Sequence, residues 1–485
     1  MKRAKILVTL GPASRDPATV EALIAAGADG VRINMSHGTQ EEKAADIAIA
    51  RASAAKVNRP LAVLVDLSGP KIRTGELAGG NAVTLEAGAV FVLTTEPIVG
   101  NKERVSTNYP DLPRVVSAGA RLLLDDGAIA LIVERTTDKE VICRVINGGT
   151  LGERKGINLP GISLPIDSLT EKDIVDLRWA IEQDVDYIAL SFVRSADDCI
   201  RAKSLISEAG GRAPLVAKIE KAEAIEHLDE IIDAADAIMV ARGDLGVETG
   251  VELVPVYQKR IIEKSILAGK MVITATQMLQ SMVSNPRPTR AEASDVANAV
   301  WDGTDCLMLS NETATGIYPV PAVTTMGRII ESAETGRQNE ADAVGQLARR
   351  QSGRVSRALC EAATFAAEEM GTRVTAVFTQ SGLMARRLSS LRPPQRIVAL
   401  TQSPLVQREL ALIWGVETLL TDTAESTEGM LKGGEQTLLD AGVVTRGEMI
   451  VIMAGRLSGL GLSSSVTLYR VGGATQEEHS TNVGG

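Results

Sequence analysis

The stretch LVAKIEKAEAIEHLDEIIDAADAIMVARGDLGVE, residues 215–248, decides the fold. It opens with an apolar run that ends at Glu220, and a second apolar run, Ala237–Ala241, leads to Asp244. Between the two runs isoleucine and leucine recur at helical spacing, so the stretch predicts a parallel βαβ unit. Lys218 and Glu220 point to one face of their strand because side chains alternate. With Asp244 they form a candidate cradle for a divalent metal and a phosphate-bearing anion, although such a pair standing alone is more often a surface ion pair.

Apolar runs like these two recur along the chain, most of them separated by one amphipathic segment. The eight runs cover residues 4–11, 30–36, 61–69, 187–193, 215–220, 237–244, 271–279 and 306–313. Eight βα units in sequence predict a (β/α)8 TIM barrel, which we assign to residues 1–68 and 167–340.

Barrels of this kind carry their chemistry at the C-terminal ends of the strands. The polar residues at those ends are Arg32, Asn34, Asp66, Lys218, Glu220, Asp244, Thr276 and Ser310-Asn311-Glu312. Their convergence on one mouth is hard to explain as chance decoration of the surface, so the pattern favours a functional site.

The third and fourth apolar runs are separated by residues 70–186, far more chain than one βα connection needs, and we assign residues 69–166 to an inserted domain. This segment contains short alternating runs, such as AVFVLTT and KEVICRV, and an Asp126-Gly127 turn typical of antiparallel hairpins. We therefore expect a small all-β domain, a β-barrel, inserted at the mouth. An insert in that position can close over bound substrate as a lid and exclude water, and an inert decoration is the alternative.

A third domain is predicted for residues 354–473, where helical and apolar segments alternate again. The pattern indicates a small doubly wound α/β sheet, which we treat as a candidate effector domain. Its first strand ends in a polar turn that contains Thr379, Ser381 and Gly382 and precedes a helix. Such a turn can bind an anion, but it is equally an ordinary helix cap. The last residues, 474–485, are expected to be a disordered tail.

The 485 residues carry a net charge of −10, which argues against a general binder of nucleic acid or of anionic membranes. Apolar residues make up 45% of the chain, an ordinary value for a globular protein, and no apolar run is long enough to span a membrane. The four cysteines lack metal-ligand spacing, as expected for buried free thiols in a reducing compartment. We therefore expect a cytoplasmic protein.

Ordered motifs along the whole chain resemble those of the pyruvate kinase family. The matching segments are TLGPAS (9–14), VRINMSHG (31–38), DLSGPKIRTG (66–75), KGINLPG (155–161), EKDIVDL (171–177), AKIE (217–220), IMVARGDLGVE (238–248), ATQML (275–279), NPRPTRAEASDVANAVWDG (285–303) and LSNETATGIYP (309–319). One such motif is weak, but so many in one order across three predicted domains are specific. The resemblance implies Mg²⁺-dependent transfer of the phosphoryl group of phosphoenolpyruvate to ADP, giving pyruvate and ATP, the last step of glycolysis.

The resemblance also implies roles for individual residues. Phosphoryl transfer needs mainly alignment and charge neutralisation, which a cationic mouth provides. The expected ligands of Mg²⁺, or of Mn²⁺ in its place, are Glu220 and Asp244. Catalysis is expected from Lys218, Arg32, Arg73 and Thr276, substrate binding from Arg32, Lys218, Gly243, Asp244 and Thr276, and nucleotide binding from Asn34, Ser36, His37, Arg73 and Lys155. The donor of the proton to the enolate stays open among Thr276, Ser310 and an ordered water.

Residues 67–73 depart from the pattern of many family members. They read LSGPKIR, where the potassium-requiring branch of the family has TKGPEIR. Lys71 replaces a glutamate that neighbours a bound K⁺, and its ammonium would repel such an ion by on the order of 4 kcal/mol at about 4 Å. We therefore expect no K⁺ requirement. The residues of that cation site, or of its lysine substitute, are Asn34, Ser36, Asp66, Leu67 and Lys71, and the oxygens of the first three are the expected partners of the lysine.

Members activated by sugar phosphates often have Arg or Lys after the Ser-Gly of the C-terminal turn. Here Leu383 and Met384 follow Ser381-Gly382, so an effector, whether a sugar phosphate or a nucleotide, cannot be identified from side chains. The resemblance also implies a homotetramer.

Two other functions compete with a pyruvate kinase. A Mg²⁺-dependent barrel enzyme acting on an enolate, such as a lyase or aldolase, would share Glu220 and Asp244 but would need no ADP. A catalytically dead metabolite sensor is disfavoured because Lys218 is retained.

Overall fold

The computed structural model describes residues 2–162, 164–337, 355–423, 426–454 and 465–473. The chain begins with β1 (Lys5–Thr9), α1 (Pro17–Ala25), β2 (Gly30–Asn34), α2 (Gln40–Val57) and β3 (Ala62–Asp66). Helix α2 begins with a reciprocal cap, in which Thr39 and Glu42 each accept a hydrogen bond from the other's backbone amide. It ends at Asn58, whose left-handed conformation stops the helix. Strands β1 and β3 are buried over their whole length, as parallel strands covered on both faces must be.

The insert after β3, residues 69–166, is a β domain, which we call the lid. Its elements are β4 (Val83–Leu85), β5 (Val90–Thr94), β6 (Arg104–Ser106), α3 (Leu112–Val115), β7 (Arg121–Leu124), β8 (Ile129–Thr136), β9 (Glu140–Asn147), β10 (Gly149–Leu151), β11 (Ile157–Asn158) and a 3-10 turn (Ala78–Gly80). The expected β-barrel takes the form of a six-stranded sheet, ordered β11-β7-β8-β9-β5-β6, beside a two-stranded sheet, β10-β4. Both sheets share one apolar core. The turn at Asp126-Gly127 joins β7 to β8, with both residues at positive φ.

Five further strands complete the barrel: β12 (Tyr187–Leu190), β13 (Leu215–Ile219), β14 (Ala237–Ala241), β15 (Met271–Ala275) and β16 (Cys306–Leu309). The accompanying helices are α4 (Glu171–Glu182), α5 (Ala196–Glu208), α6 (Ala222–Glu226), α7 (Leu228–Ala234), α8 (Arg242–Thr249), α9 (Val254–Leu267), α10 (Arg290–Asp302), α11 (Asn311–Ala314) and α12 (Pro319–Arg337), with a 3-10 turn (Gln280–Val283). The strands close in the order β1-β16-β15-β14-β13-β12-β3-β2, which confirms the predicted (β/α)8 barrel. The helical segment between β13 and β14 is two helices, α6 and α7, with His227 outside the helical conformation between them (φ −101°, ψ 24°).

The C-terminal domain is an α/β sheet, as the sequence predicted. Its elements are α13 (Val355–Glu369), β17 (Val374–Phe378), α14 (Leu383–Ser390), β18 (Arg396–Thr401), α15 (Pro404–Leu410), β19 (Val416–Leu420), α16 (Thr427–Asp440), β20 (Met449–Ala454) and β21 (Ser465–Arg470). The strand order is β19-β18-β17-β20-β21, with β21 antiparallel to β20 and the other pairs parallel. The tail predicted for residues 474–485 lies outside the described residues.

This domain packs against the N-terminal ends of the barrel strands, opposite the mouth. At the start of β1, Lys5 Nζ donates to Val416 O at 2.8 Å, and at the start of β12, Tyr187 OH donates to Glu409 O at 2.6 Å. One apolar cluster runs from the barrel into one face of the C-terminal sheet, whereas the lid has a core of its own. The barrel and the C-terminal domain are therefore one continuous hydrophobic body.

A buried ion pair at this contact offers a test of stability. Arg392 Nη1 lies 2.9 Å from Asp305 Oδ1, the two side chains are 5% and 6% exposed, and the Arg392 guanidinium lies 4.7 Å from the centre of the Trp414 ring. Arg392→Met is expected to lower the free energy of unfolding by about 3–5 kcal/mol, because the Asp305 charge stays buried without its partner. Chemical denaturation followed by circular dichroism measures the change. Adding Asp305→Asn removes the stranded charge and should recover much of the loss, and an equal loss in both variants would contradict this account.

Two sequence expectations have direct structural counterparts. Cys143, Cys199, Cys306 and Cys360 are free and buried, and burial raises the pKa of the Cys143, Cys199 and Cys360 thiols to about 12. Such thiols stay protonated and unreactive in the folded protein. Within the described ranges, no helix combines the length and apolar character that crossing a membrane would require.

Candidate active site

The ends of β3, β12 and β13 place a lysine among carboxylates at the mouth of the barrel. Lys218 Nζ lies 2.9 Å from Glu220 Oε1 and 3.1 Å from Asp66 Oδ1, and it donates to Ser191 Oγ at 2.7 Å. The lysine side chain is 11% exposed and each carboxylate 2%. The structure therefore brings Lys218 and Glu220 together inside the mouth rather than on the protein surface.

The charges of this cluster keep the lysine protonated. Burial alone would lower the pKa of Lys218, but the carboxylates of Asp66 and Glu220 outweigh it and hold this pKa above its ordinary value. For Asp66, burial acts to raise the pKa, yet Lys218 and Arg32 bring it below its ordinary value. Burial raises the pKa of Glu220; Lys218 opposes the rise and the Asp244 carboxylate adds to it. The positive charge near Glu220 is thus not enough to offset the effect of burial on its pKa, and a bound divalent cation would supply more.

The guanidinium of Arg32, in the middle of β2, is bonded to other groups of the protein. Its Nε and Nη2 atoms each lie 2.7 Å from Asp66 Oδ2, and Nη1 donates to Thr9 Oγ1 at 3.3 Å. Asp66 also accepts from Lys218, so one buried carboxylate orients two cations. An anion that enters the mouth meets Arg32 and Lys218 already held in place.

Lys71 contacts carboxylates from two domains. Its Nζ lies 3.4 Å from Asp244 Oδ1 of the barrel and 3.7 Å from Asp126 Oδ1 of the lid turn. A Cβ placed on Gly156 would lie 3.0 Å from Lys71 Cε, so a glycine there lets the lid backbone approach the lysine closely. The Lys71 ammonium therefore lies between Asp126 of the lid turn and Asp244, a candidate metal ligand.

The partners expected for Lys71 from the sequence are wrong. Asp66 is engaged by Arg32 and Lys218, and Asn34 Oδ1 accepts from the Ser36 amide at 3.1 Å. The Leu67 carbonyl accepts from a serine hydroxyl. The expectation failed because the lid turn, which is remote in sequence, supplies one of the lysine's actual partners.

Glu220 and Asp244 are the carboxylates available to a metal at the mouth. Across the described ranges, no three or more His, Cys, Asp and Glu side chains are grouped as a metal site. Mg²⁺ fits this arrangement, because one or two carboxylates commonly hold it together with substrate phosphates and waters. Asp244 lies in the first turn of α8 with 24% of its side chain exposed, so it can share a cation with a substrate.

The end of β15 has a strained backbone. Thr276 (φ 69°) and Gln277 (φ 55°) are both left-handed, which is unfavourable for a β-branched residue in particular. Thr276 Oγ1 accepts from the Gly243 amide at 2.9 Å, so the amide expected to meet a substrate carboxylate is bonded to this threonine. The mouth therefore places a hydroxyl and a helix-terminal amide side by side.

The tip of β16 combines a buried carboxylate with a hydroxyl that has no hydrogen-bond partner among the described residues. Glu312 accepts from the Leu279 amide at 3.0 Å and from the Ser310 amide at 2.7 Å, and it is fully buried. Ser310 Oγ is buried and makes no hydrogen bond to the described residues. Asn311 begins helix α11. Glu312 thus connects the segment after β15 to the end of β16 through these two hydrogen bonds.

Two residues expected to bind nucleotide belong to the lid. Arg73 Nη1 donates to Arg154 O at 3.4 Å, and Lys155 Nζ lies 2.9 Å from Asp125 Oδ1. Both cations have lid partners that a phosphate could replace.

The other expected nucleotide residues lie at the end of β2 and just after it, on the barrel side. These are Asn34, Ser36 and His37. Burial and the positive charge of Arg73 lower the pKa of His37, so the imidazole is neutral near pH 7 and lies within the field of the lid arginine. His37 on the barrel side is thus close enough to Arg73 of the lid for their charges to interact.

Ser191, Phe192 and Arg242 belong to the mouth but were not identified from the sequence. Phe192 is left-handed (φ 57°), and its amide donates to Glu220 Oε2 at 2.9 Å. Ser191 and Phe192 lie just beyond the end of β12, and Arg242 just beyond the end of β14. The strand-end rule could have found them, but serine and phenylalanine carry no charge signal.

A second polar network ties the lid to the same strand ends. Lys221 Nζ lies 2.9 Å from Glu248 Oε1, which also accepts from Asn158 Nδ2 of the lid at 3.3 Å. Lys221 directly follows Glu220, and Glu248 lies one turn beyond Asp244 on α8. These contacts therefore connect the lid to the segments that carry the two candidate metal ligands, Glu220 and Asp244.

The turn expected to bind an effector lies on the C-terminal domain, at the far end of the barrel from the mouth. Thr379 Oγ1 accepts from the Gly382 amide at 2.9 Å, and Gly382 is left-handed (φ 75°) at the start of α14. Ser381 lines a cleft between this domain and the barrel, together with basic side chains such as Arg212 and Arg386. The turn is thus both a helix cap and part of a polar interdomain cleft.

Two family descriptions match the chain in turn. "Pyruvate kinase, barrel domain" matches residues 1–323, and "Pyruvate kinase, alpha/beta domain" matches residues 357–466. The chain is 43% identical over 476 residues to a pyruvate kinase of Mycobacterium tuberculosis (strain H37Rv), which covers 97% of this chain and 99% of the relative. It is 41% identical over 460 residues to a pyruvate kinase of Clostridium acetobutylicum, covering 94% of this chain and 96% of the relative.

A solved structure gives the same result in three dimensions. The crystal structure of a pyruvate kinase from Cryptosporidium parvum superposes with a TM-score of 0.89 at 34% sequence identity. The match covers 97% of this chain and 96% of that one. The likeness therefore extends over the barrel, the lid and the C-terminal domain together.

Proposed function

The chain belongs to the pyruvate kinase family, and we propose that it transfers the phosphoryl group of phosphoenolpyruvate to ADP with Mg²⁺ and without a requirement for K⁺. It is a phosphotransferase. The observation that carries the proposed chemistry is the buried ammonium of Lys218 beside Glu220, at a mouth that the lid adjoins through Lys71. The reaction needs that combination of a fixed cation, a carboxylate for a metal and a closing domain.

In this proposal Lys218 stabilises the transferring phosphoryl group and the enolate that forms as the group leaves. A transferring phosphoryl group spreads its charge over peripheral oxygens, so catalysis is mostly positioning and electrostatics. Lys218 is held by Asp66, Glu220 and Ser191, so little reorganisation accompanies the reaction. Arg32 supplies a second cation for phosphate oxygens, oriented by the same Asp66 carboxylate.

Glu220 and Asp244 would hold the Mg²⁺. When bound, the ion supplies charge neutralisation for the carboxylate and phosphoryl oxygens of the substrate. The chain's own part is to keep Glu220 ionised beside Lys218 and to present Asp244 on the first turn of α8. We assign protonation of the enolate to the Thr276 hydroxyl, with Ser310 or a water as alternative donors.

The lid supplies the nucleotide side of the proposed site. Arg73 and Lys155 would exchange their present lid partners, Arg154 O and Asp125, for phosphate oxygens of the nucleotide. Asn34, Ser36 and His37 would face the nucleotide from the barrel. Closure of the lid would exclude water from the phosphoryl group and so disfavour its hydrolysis.

The K⁺ independence rests on Lys71. Its ammonium is 3.4 Å from Asp244 Oδ1, so a positive charge of the protein already stands beside the metal-binding carboxylate. A monovalent cation brought to the same place would be repelled by on the order of 4 kcal/mol at about 4 Å. The lysine would therefore take over the electrostatic role that K⁺ has in the potassium-requiring branch.

Wild-type turnover should be full with tetramethylammonium as the only monovalent cation, and Lys71→Glu should create a K⁺ requirement. We expect K⁺ to stimulate the variant about tenfold or more, because the charge restored is worth more than the ~1.4 kcal/mol of one decade. The assay is pyruvate formation from phosphoenolpyruvate, ADP and Mg²⁺. Lys102→Glu, an exposed lid position, is the matched control and should stay indifferent to K⁺.

Other results of this assay separate the alternatives. Wild-type turnover that appears only with K⁺ would keep the reaction and refute the role of Lys71. Consumption of phosphoenolpyruvate without ADP would favour a lyase or aldolase. Binding of substrate without any turnover would favour a metabolite sensor.

Assembly and regulation are further parts of the proposal. We propose a cytoplasmic homotetramer, for which the family resemblance is the support, and sedimentation at micromolar concentration tests the assembly. The turn of Thr379, Ser381 and Gly382 is the proposed effector contact, for a sugar phosphate or a nucleotide. It is supported by the backbone amides at the start of α14 and by the cleft that Ser381 lines.

A further inference from the structure

The guanidinium of Arg242 joins the ends of β14 and β15 where the ladder between them stops. The last pair in that ladder is Ala241 with Ala275. Directly beyond it, Arg242 Nη2 donates to Thr276 O at 2.8 Å and Nε donates to Ala275 O at 3.3 Å. The Arg242 side chain therefore extends the hydrogen bonding between β14 and β15 by one step, and it fixes the carbonyl groups of Ala275 and Thr276.

Arg242 is itself held from behind by two helices. Its Nη1 lies 2.7 Å from Asp295 Oδ1 of α10 and donates to Gln258 Oε1 of α9 at 3.3 Å. The arginine side chain is 9% exposed. A planar fork with these partners on several sides has one orientation, which a lysine ammonium cannot reproduce.

The backbone that Arg242 holds is one that its own residues do not favour. Thr276 and Gln277 have φ values of 69° and 55°, in a region that suits glycine and is least suited to β-branched residues. A turn of this kind persists only where its surroundings determine it. If the turn relaxed, Thr276 Oγ1 would leave the Gly243 amide, which it now accepts from at 2.9 Å.

We propose that Arg242 is a positioning residue that keeps the Thr276 hydroxyl at the mouth by holding residues 275–277 in this turn. The inference deepens the proposed function and rests on it, since Thr276 has a chemical role only if an enolate is protonated there. Arg242 itself needs no contact with substrate. Arg242 directly precedes Gly243 and Asp244. Its guanidinium therefore also fixes the position of Asp244, the candidate metal ligand, relative to the end of β15.

The test compares Arg242→Lys, Thr276→Ala and the double variant. We expect Arg242→Lys to lower kcat about 100-fold, as a displacement of about 1 Å can, while KM for phosphoenolpyruvate changes by less than about threefold. Exchange of pyruvate methyl protons with D₂O, measured by NMR with ATP and Mg²⁺, should fall in proportion. The double variant should be no slower than the slower single variant, because both changes remove one function.

Two further variants guard the interpretation. Arg260→Lys, an exposed position on α9, is the matched control and should leave kcat unchanged. Asp295→Asn loosens Arg242 from behind and should give a smaller loss with the same pattern, which keeps the test available if Arg242→Lys does not fold.

Effects that multiply in the double variant would overturn the proposal, because Arg242 would then act independently of Thr276. A crystal structure of Arg242→Lys, or of Asp295→Asn, supplies a readout that does not use activity. We expect φ of Thr276 to leave the left-handed region, and a φ that stays near 69° would also overturn the proposal. If the wild-type protein makes no pyruvate, the proposed function fails, and the crystal structure then decides the role of Arg242.

Discussion

Replacing Lys218 with methionine is expected to lower kcat for pyruvate formation by about a thousandfold. The estimate takes the upper end of the loss seen when one preorganised donor to a developing anion is removed, about 10²–10³-fold. Lys218 is 11% exposed and lies 2.9 Å from Glu220, so neither water nor a neighbouring cation can replace its charge without rearrangement. Steady-state assays at saturating phosphoenolpyruvate, ADP and Mg²⁺ measure the effect.

The fold of the Lys218→Met protein must be checked separately. Asp66 keeps Arg32 as a partner, but Glu220 loses its cation, so some loss of thermal stability is expected in the absence of metal. Lys259→Met, on the exposed side of α9, is the matched control and should retain wild-type kcat. A folded Lys218→Met protein with wild-type turnover would exclude the role proposed for this lysine.

Replacing Asp244 with asparagine is expected to weaken divalent-metal binding by at least about a hundredfold. One unit of charge at about 4 Å is worth on the order of 4 kcal/mol at an effective dielectric of about 20, and each ~1.4 kcal/mol is a decade. Binding of Mn²⁺ to the free protein, followed by electron paramagnetic resonance, measures the change without any turnover. The Mg²⁺ concentration that gives half-maximal activity should rise in parallel.

Asp126→Asn is the matched control for that experiment. Asp126 and Asp244 both face Lys71, at 3.7 Å and 3.4 Å, but Asp126 belongs to the lid turn. Its removal should leave Mn²⁺ affinity within about threefold, because an exposed ion pair contributes little. Equal losses in the two variants would mean that general charge near Lys71, rather than a ligand at Asp244, governs metal binding.

The periodicity of apolar runs was enough to predict the barrel and its mouth. The end of each strand can be located from the local sequence. Because the C-terminal ends of barrel strands meet at one face, residues at those ends, such as Lys218, Glu220 and Asp244, are predicted to lie close together. The same rule could not give hydrogen-bond partners. The sequence indicates Asp66 as part of a cation site, but only the structure shows that this carboxylate pairs with Arg32 and Lys218.

Features that depend on backbone conformation or on contacts remote in sequence escaped prediction. The left-handed turns at Phe192 and Thr276 involve residue types that rarely adopt them, so no propensity argument leads there. The contact of Lys71 with Asp244 depends on how the lid sits over the barrel. Both features arise from tertiary packing, which overrides local preference.

The separate core of the lid has a consequence for how the molecule comes apart. The barrel and one face of the C-terminal sheet share a single apolar cluster, so neither can melt without exposing the interior of the other. The lid buries its own cluster and is joined to the barrel by two chain crossings and by polar contacts such as Asn158–Glu248 and Lys71–Asp244. It is therefore a cooperative unit that can unfold and refold while the rest stays native. Substitutions inside it would change protease sensitivity and amide exchange locally and leave global unfolding nearly untouched.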